Sequence, residues 1–337
     1  MSGPALALEN LSIGFVERRR TLAAVRNLSF SVAPGETLAI VGESGCGKSL
    51  TALALLGLLP EPGRVTGGSI RVQGEELVGL GEKQMRRLRG DRIAMIFQEP
   101  MTALNPVLTI GEQLVEAIRA HRRVGAGEAR DRAVALLERV RIPEAARRFD
   151  EHPHRLSGGM RQRVVIAIAL ACDPAVLVAD EPTTALDVTV QAEILDLIDG
   201  LRRENGAAVL LITHDLGVVA RQADRVLVMY AGRKVEERRT ADLFADPLHP
   251  YTRGLIAARP GTQRDARRRL VEIPGLVPGL DAMPAGCAFA PRCGHAVDSC
   301  GTAEPPLLAL GAGSVACLRA DEIRNSTAPR PRLYAHG

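Results

Sequence analysis

Two segments near the start of the chain, residues 5–15 and 21–32, alternate apolar and polar side chains, as half-buried antiparallel strands do. A short apolar run over residues 36–41 then leads into a glycine-rich segment, and residues 48–59 have helical spacing until Pro60. The order of strand, glycine-rich turn and helix predicts a phosphate-binding loop between the last two elements.

Strand-like and helical segments continue to alternate downstream. Further strands are predicted at residues 69–73, 92–97, 175–179, 207–213 and 225–230. Further helices are predicted at residues 82–89, 111–122, 127–139, 157–171 and 188–204. The stretch from 98 to 154 has no strand signal, which predicts a helical insert over about residues 99–170. The pattern as a whole predicts an α/β sheet preceded by an antiparallel β subdomain.

The regular pattern fades after about residue 244, and residues 274–317 show little periodicity. A small segment of this kind needs support other than a large hydrophobic core. We therefore predict two domains, a nucleotide-binding domain over residues 1–245 and a C-terminal extension over residues 246–337.

Composition and charge narrow the class of protein. The 337 residues suffice for one large core and a smaller domain, and 46% hydrophobic with 24% charged residues excludes disordered and fibrous classes. A net charge of +4 offers no footprint for nucleic acid. The apolar runs fall short of the roughly 18 residues that span a bilayer, and the N-terminus lacks a signal-peptide pattern. We expect a cytosolic protein without spanning segments.

The glycine-rich segment matches G-x-x-x-x-G-K-[ST]. Its glycines let the backbone turn tightly and direct N–H groups at phosphate oxygens, while the next helix adds its positive N-terminal end. Lys48 is predicted to neutralise the outer phosphates and the Ser49 hydroxyl to bind Mg²⁺. The residues predicted to contact the nucleotide here are Gly42, Glu43, Ser44, Gly45, Cys46, Gly47, Lys48, Ser49 and Leu50.

Two carboxylates follow the apolar strand over residues 175–179. Asp180 is placed to hold Mg²⁺, and Glu181 is placed to polarise an attacking water. His214 follows the strand over residues 207–213 and is a candidate contact for the γ-phosphate or the water.

The segment Leu156-Ser157-Gly158-Gly159-Met160 precedes the two carboxylates. In this order, the three motifs resemble those of the ATP-binding subunits of ABC transporters. The resemblance implies that Ser157, Gly158 and Gly159 bind the γ-phosphate of an ATP molecule held by a second subunit. Met160 departs from the family pattern, in which glutamine is commonest, but the contacting residues are unchanged.

The same resemblance assigns roles to single residues elsewhere. Gln98 matches the Q-loop, Asp187 ends a segment that matches the D-loop, and His214 matches the switch histidine. Phe15 is placed like the aromatic residue that stacks on adenine. The implied catalytic residues are Glu181, His214 and Gln98, and the implied magnesium ligands are Ser49, Gln98 and Asp180.

Residues 97–106 and 246–252 narrow the resemblance to the ATPases of oligopeptide and dipeptide importers, whose relatives carry nickel or other small solutes. The likeness covers about residues 5–320. It implies an ATP-hydrolysing subunit at the cytoplasmic face of the membrane, working with two permease subunits, a second identical or homologous ATPase and, indirectly, an extracytoplasmic solute-binding protein. Import of nickel or another small solute is the alternative. A non-transport ABC ATPase is disfavoured, because the chain has one cassette and no sustained heptads.

Four of the six cysteines, Cys287, Cys293, Cys300 and Cys317, lie in the last fifth of the chain. A cytosolic location argues against disulfides, and the spacing is not C-x-x-C, so the usual zinc-ribbon pattern does not fit. Four thiolates suit either zinc or a [4Fe–4S] cluster. The importer resemblance favours the cluster, which would organise the extension. Zinc, and free or oxidised cysteines, remain alternatives.

Overall fold

A computed structural model of the chain describes residues 3–17, 20–98, 103–183, 187–258 and 272–325. The strands are β1 Leu6–Glu17, β2 Arg20–Val32, β3 Thr37–Val41, β4 Gly63–Val72, β5 Glu75–Glu76, β6 Ile93–Ile96, β7 Val176–Asp180, β8 Ala208–Ile212, β9 Arg225–Tyr230, β10 Arg233–Arg239, β11 Leu308–Leu310 and β12 Gly313–Val315. The α-helices are α1 Lys48–Leu55, α2 Glu82–Leu88, α3 Ile110–His121, α4 Ala126–Arg139, α5 Ala145–Arg148, α6 Gly158–Ala169, α7 Val188–Asn205, α8 Leu216–Gln222, α9 Thr240–Ala245, α10 Pro250–Ala257, α11 Asp298–Thr302 and α12 Ala320–Asn325.

The strands form two sheets. A four-stranded antiparallel sheet has the order β2-β1-β4-β5, and a larger sheet has the order β11-β12-β10-β9-β3-β8-β7-β6. In the larger sheet β6, β7, β8, β3 and β9 are parallel, and β10, β12 and β11 continue it in antiparallel fashion. Every residue of β3, β7 and β8 is buried, as expected where helices or a second sheet cover both faces of a parallel sheet. The predicted α/β fold is confirmed.

Helix α1 lies between the two sheets and fixes the end of the phosphate loop. Its buried side chains, Ala52 and Leu55 among them, share one hydrophobic core with Leu11 of the antiparallel sheet and Ile40 of the larger sheet. Burial of each leucine or isoleucine in this core stabilises the fold by about 1.5–3 kcal/mol. The loop at the N-terminus of α1 is therefore anchored from both sides.

The helices between β6 and β7 pack on the opposite face of the larger sheet. Ile110 of α3, Leu137 of α4 and Ile166 of α6 belong to a second core that also includes Leu177 and Leu211 of the sheet. In the part of the chain that the structure describes, no helix is both long and apolar enough to cross a membrane.

The C-terminal residues join the larger sheet. Strand β12 pairs with β10, with Val315 opposite Glu236, and β11 pairs with β12. The rings of Tyr230, Tyr251 and Phe289 lie 4.7–5.4 Å apart in a third core. The sequence did not predict β10 to β12, nor the short helices α9 to α12. The proposed division at residue 245 stays a prediction.

Candidate nucleotide-binding site

The phosphate loop joins β3 to α1, and glycine is required at two of its positions. Gly42 has φ +156° and Gly47 has φ +100°. A Cβ added at Gly42 would lie 2.2 Å from the carbonyl oxygen of Met229, and one at Gly47 would lie 2.8 Å from Cγ2 of Val25. The loop therefore turns against β9 and β2 too closely for any side chain, as the predicted motif requires.

Lys48 begins α1, and its ammonium group is turned back into the loop. Nζ donates to the carbonyl oxygens of Gly42 at 2.6 Å and Glu43 at 3.1 Å. The side chain is buried, with 7% exposure. A buried cation enclosed by a loop of backbone N–H groups is an anion site, and phosphate oxygens would compete with the two carbonyls for it.

Ser49 and Asp180 are brought together from distant parts of the chain. The Ser49 hydroxyl donates to Oδ1 of Asp180 at 3.4 Å. Burial raises the pKa of the Asp180 carboxyl, and the Ser49 hydrogen bond partly offsets this effect. A hydroxyl and a carboxylate beside a phosphate loop are oxygen donors suited to Mg²⁺.

The three predicted catalytic side chains meet at one edge of the sheet. Nε2 of Gln98 donates to Oε2 of Glu181 at 3.0 Å, and Nδ1 of His214 lies 3.0 Å from Oε1 of the same carboxylate. The three residues follow β6, β7 and β8, which are neighbours in the sheet, so their carboxyl ends lie side by side. Glu181 has φ +46°, an uncommon backbone conformation for a residue other than glycine, and such positions cluster at functional sites.

The Ser157 segment forms the N-terminus of α6. The Ser157 hydroxyl accepts the N–H of Met160 at 3.3 Å and so caps the helix. Ser157 and Gly158 are exposed, whereas a Cβ at Gly159 would lie 2.8 Å from Cγ1 of Val190. The segment thus offers a helix N-terminus and an open surface to another molecule.

Asp187 and Phe15 have well-defined local roles. Asp187 caps α7, and its Oδ1 accepts the N–H groups of Thr189 at 3.1 Å and Val190 at 3.0 Å. The rest of the predicted D-loop, residues 185–186, lies outside the described residues. Phe15 is half-buried in β1, and a Cβ at Gly63 would lie 3.3 Å from its ring, so this aromatic packs over a glycine of the neighbouring strand.

The remaining residues of the predicted loop are divided between surface and core. Ser44, Gly45 and Ser49 are exposed, and Leu50 packs half-buried against the core between the sheets. Cys46 is fully buried, and burial raises the pKa of its thiol. Ser44, Gly45 and Ser49 can thus meet a ligand directly, in addition to the buried Lys48 ammonium group.

Two residues of the C-terminal part contact the loop and were not predicted. Arg292 donates to the carboxylate of Glu43 at 2.6 Å and 3.0 Å, and the Tyr251 hydroxyl accepts the N–H of Glu43 at 2.7 Å. Arg292 is 249 positions away from Glu43 in the chain. No motif marks an ion pair over such a separation.

The four clustered cysteines line one cavity, together with His249 and His295. All four are free cysteines. Burial raises the pKa of the thiols of Cys287 and Cys293, and it raises that of Cys317 to about 11. Among the described residues, no three or more His, Cys, Asp or Glu side chains are grouped so that they could hold a metal ion. The donor set suits a metal group, but its present arrangement does not form a metal site.

Comparison with known proteins identifies the family. Residues 25–184 match the family model described as ABC transporter, and residues 235–300 match the model of the oligopeptide/dipeptide transporter C-terminal region. A putative peptide import ATP-binding protein of Brucella abortus is 51% identical over 95% of this chain and 98% of its own length. The chain belongs to the ABC transporter family.

Further ABC proteins agree with this assignment. A probable peptide ABC transporter ATP-binding protein of Sinorhizobium fredii is 50% identical over 95% of this chain and 96% of its own. A solved dimeric ATP-binding cassette bound to ADP and phosphate has 29% identity and a TM-score of 0.62, covering 70% of this chain and 98% of that one. The component cbiO1 of an ABC transporter complex from Clostridium perfringens has 27% identity and a TM-score of 0.62, covering 72% of this chain and 91% of that one. The chain is an ABC-type ATPase.

Proposed function

We propose that this chain is the ATP-hydrolysing subunit of an importer for oligopeptides and dipeptides. The observation that carries the ATPase assignment is the position of the Glu181 carboxylate, 3.0 Å from both Gln98 and His214 and next to Asp180 at the end of β7. The names of the relatives and the match to the oligopeptide/dipeptide C-terminal region support peptides as the solute.

In the proposed mechanism the phosphate loop holds the ATP phosphates. Backbone N–H groups at the start of α1 and the Lys48 ammonium offset the charge that develops on the γ-phosphate during transfer. Glu181 polarises the attacking water, and His214 and Gln98 hold that carboxylate in place. Ser49, Asp180 and Gln98 would hold Mg²⁺, which neutralises phosphate charge when bound. Phe15 is proposed to stack on adenine, and Asp187 to lie at the subunit contact.

The second half of the site is proposed to come from another ATPase subunit, identical or homologous. Ser157, Gly158 and Gly159 would face the γ-phosphate of the ATP held by that subunit. The exposure of Ser157 and the capped start of α6 support this, as does the likeness to dimeric cassettes. ATP and ADP then differ in their contacts across the dimer, which gives two states for the membrane subunits to follow.

The proposed assembly lies at the cytoplasmic face of the membrane, with two transmembrane permease subunits and an extracytoplasmic solute-binding protein. The test is to purify the assembled transporter and measure ATPase activity with candidate solutes. A mixture of dipeptides and oligopeptides should stimulate hydrolysis at least several-fold through the solute-binding protein. Stimulation by Ni²⁺ and not by peptides would support the alternative solute.

For residues 246–337 we propose a C-terminal extension organised by a [4Fe–4S] cluster on Cys287, Cys293, Cys300 and Cys317, with Zn²⁺ as the alternative. The shared cavity and the set of four thiols support it. Anaerobic purification should yield about four iron and four sulfide per chain. One equivalent of zinc without iron would favour the alternative, and four reactive thiols without metal would reject both.

A further inference from the structure

The C-terminal part of the chain touches the phosphate loop through a charged pair. Both terminal nitrogens of Arg292 donate to the Glu43 carboxylate, at 2.6 Å and 3.0 Å, in a bidentate arrangement. The Arg292 side chain is 5% exposed and that of Glu43 is 27% exposed. The pair is thus largely removed from water. A charge interaction in such a partly buried position is stronger than one at the exposed surface.

Arg292 is fixed from several sides. Its Nε donates to the carbonyl oxygen of Pro274 at 2.7 Å, and Nη1 also donates to the Tyr230 hydroxyl at 3.3 Å. Its guanidinium lies 5.7 Å from the ring centre of Tyr230 and 5.9 Å from that of Phe289. Burial alone would lower the pKa of Arg292, but the hydrogen bonds that Arg292 donates to Glu43 and Tyr230 more than offset this effect and raise that pKa. The arginine is a charged, preorganised support.

Glu43 in turn is held at its side chain, its N–H and its carbonyl. The N–H donates to the Tyr251 hydroxyl at 2.7 Å, and the carbonyl accepts from Lys48 Nζ at 3.1 Å. The conformation of this loop residue therefore depends on Arg292 and Tyr251 outside the loop and on Lys48 within it.

We propose that Arg292 is a positioning residue for ATP binding: it holds Glu43, and it neutralises a carboxylate of the phosphate loop that would otherwise repel the phosphates. The inference rests on the proposed role of the loop as the ATP site. Without Arg292, the Glu43 charge is uncompensated next to an anion site. Without both side chains, the repulsion disappears as well.

The test measures the Kd for ATP of the full-length chain by isothermal titration calorimetry. Arg292→Met should raise Kd at least about tenfold, because at an effective dielectric constant of about 20 one uncompensated charge has this order of effect on a phosphate charge even at about 10 Å. The double variant Glu43→Gln with Arg292→Met should return to within about twofold of the original Kd. A purely structural arginine would not be rescued in this way.

Glu304→Gln is the matched control. Glu304 also joins the C-terminal part to the rest of the chain, through ion pairs to Arg26 and Arg233, but it does not contact the phosphate loop. Its variant should leave Kd unchanged. The proposal is overturned if Arg292→Met raises Kd no more than this control, or if the double variant binds ATP as weakly as Arg292→Met alone.

Two additions make the outcome decisive. Lys48→Ala must abolish binding. If Lys48→Ala still binds ATP, the proposed ATP site itself is wrong. If Lys48→Ala loses binding but Arg292→Met binds ATP normally, only the role of Arg292 is rejected. If Arg292→Met does not fold, Arg292→Lys replaces it. Lysine keeps the charge but cannot form the bidentate pair, so Kd should rise about threefold, and an unchanged Kd overturns the proposal.

Discussion

Replacement of Glu181 by glutamine removes the general base but keeps the hydrogen bonds around it. The amide has the shape of the carboxylate, so its oxygen can still accept a hydrogen bond from Gln98. In the original protein Gln98 donates to the Glu181 carboxylate at 3.0 Å. Its NH₂ group would face Nδ1 of His214, which lies 3.0 Å from Oε1. Glutamine therefore keeps the geometry of these contacts, but it cannot take a proton from water at neutral pH.

The expected loss is that of a general base, about 10²–10⁴ in kcat. This corresponds to about 3–5 kcal/mol in the activation free energy. ATP binding should be nearly unchanged, because Lys48 and the loop backbone remain. The ATP-bound dimer should accumulate, since hydrolysis no longer separates the subunits.

The assay is steady-state phosphate release by the assembled transporter at saturating ATP, together with a direct measurement of ATP affinity. Glu322→Gln is the control, because Glu322 pairs with Arg319 at 2.8 Å on the exposed side of α12. It should leave the rate unchanged. A rate for Glu181→Gln within threefold of the original protein would refute the base assignment.

Three further outcomes are expected. Ser157→Arg should abolish ATP-dependent dimerisation, measured by light scattering, and leave ATP binding by the single subunit intact; normal dimerisation would contradict the shared site. Glu116→Lys, on the exposed side of α3, should lower peptide uptake but not basal hydrolysis if the helical insert docks on the permease; unchanged uptake would move the dock elsewhere. Burial lowers the pKa of His249 to about 3. Below pH 6.5 this imidazole is therefore protonated in the unfolded chain but stays neutral in the folded chain. The free energy of unfolding should fall by about 1 kcal/mol per pH unit between pH 6 and 4, and less in His249→Asn, as measured by urea denaturation.

The strands that carry the catalytic residues could be predicted, because burial on both faces makes a parallel strand continuously apolar. Strand β10 could not, since its sequence is charged. In the folded chain these charges are paired: Glu237 lies 2.9 Å from Arg225 and 2.6 Å from Lys234. The buried Glu236 carboxylate accepts the N–H groups of Leu248 and His249. Such partners lie far apart in the chain or at irregular spacing, so no hydrophobic periodicity predicts these pairs.

The candidate site likewise contains residues that the sequence predicts and residues that it does not. Gln98, Glu181 and His214 could be predicted to meet, because each follows a strand of one parallel sheet. Arg292 could not, because its role depends on how an aperiodic segment packs against Tyr230 and Phe289. Local motifs specify the groups that face the ligand, whereas the groups that support them are specified only by the tertiary packing.

Uptake of a labelled oligopeptide into proteoliposomes tests whether ATP hydrolysis by this chain powers import. The vesicles would contain the complete transporter with the ATPase subunits facing a known side. Peptide should move across the membrane toward the side that carries the ATPase subunits, and only when ATP is supplied on that side. Glu181→Gln should abolish this movement while ATP still binds. Peptide movement that is equally fast without ATP, or with Glu181→Gln, would contradict the proposed function.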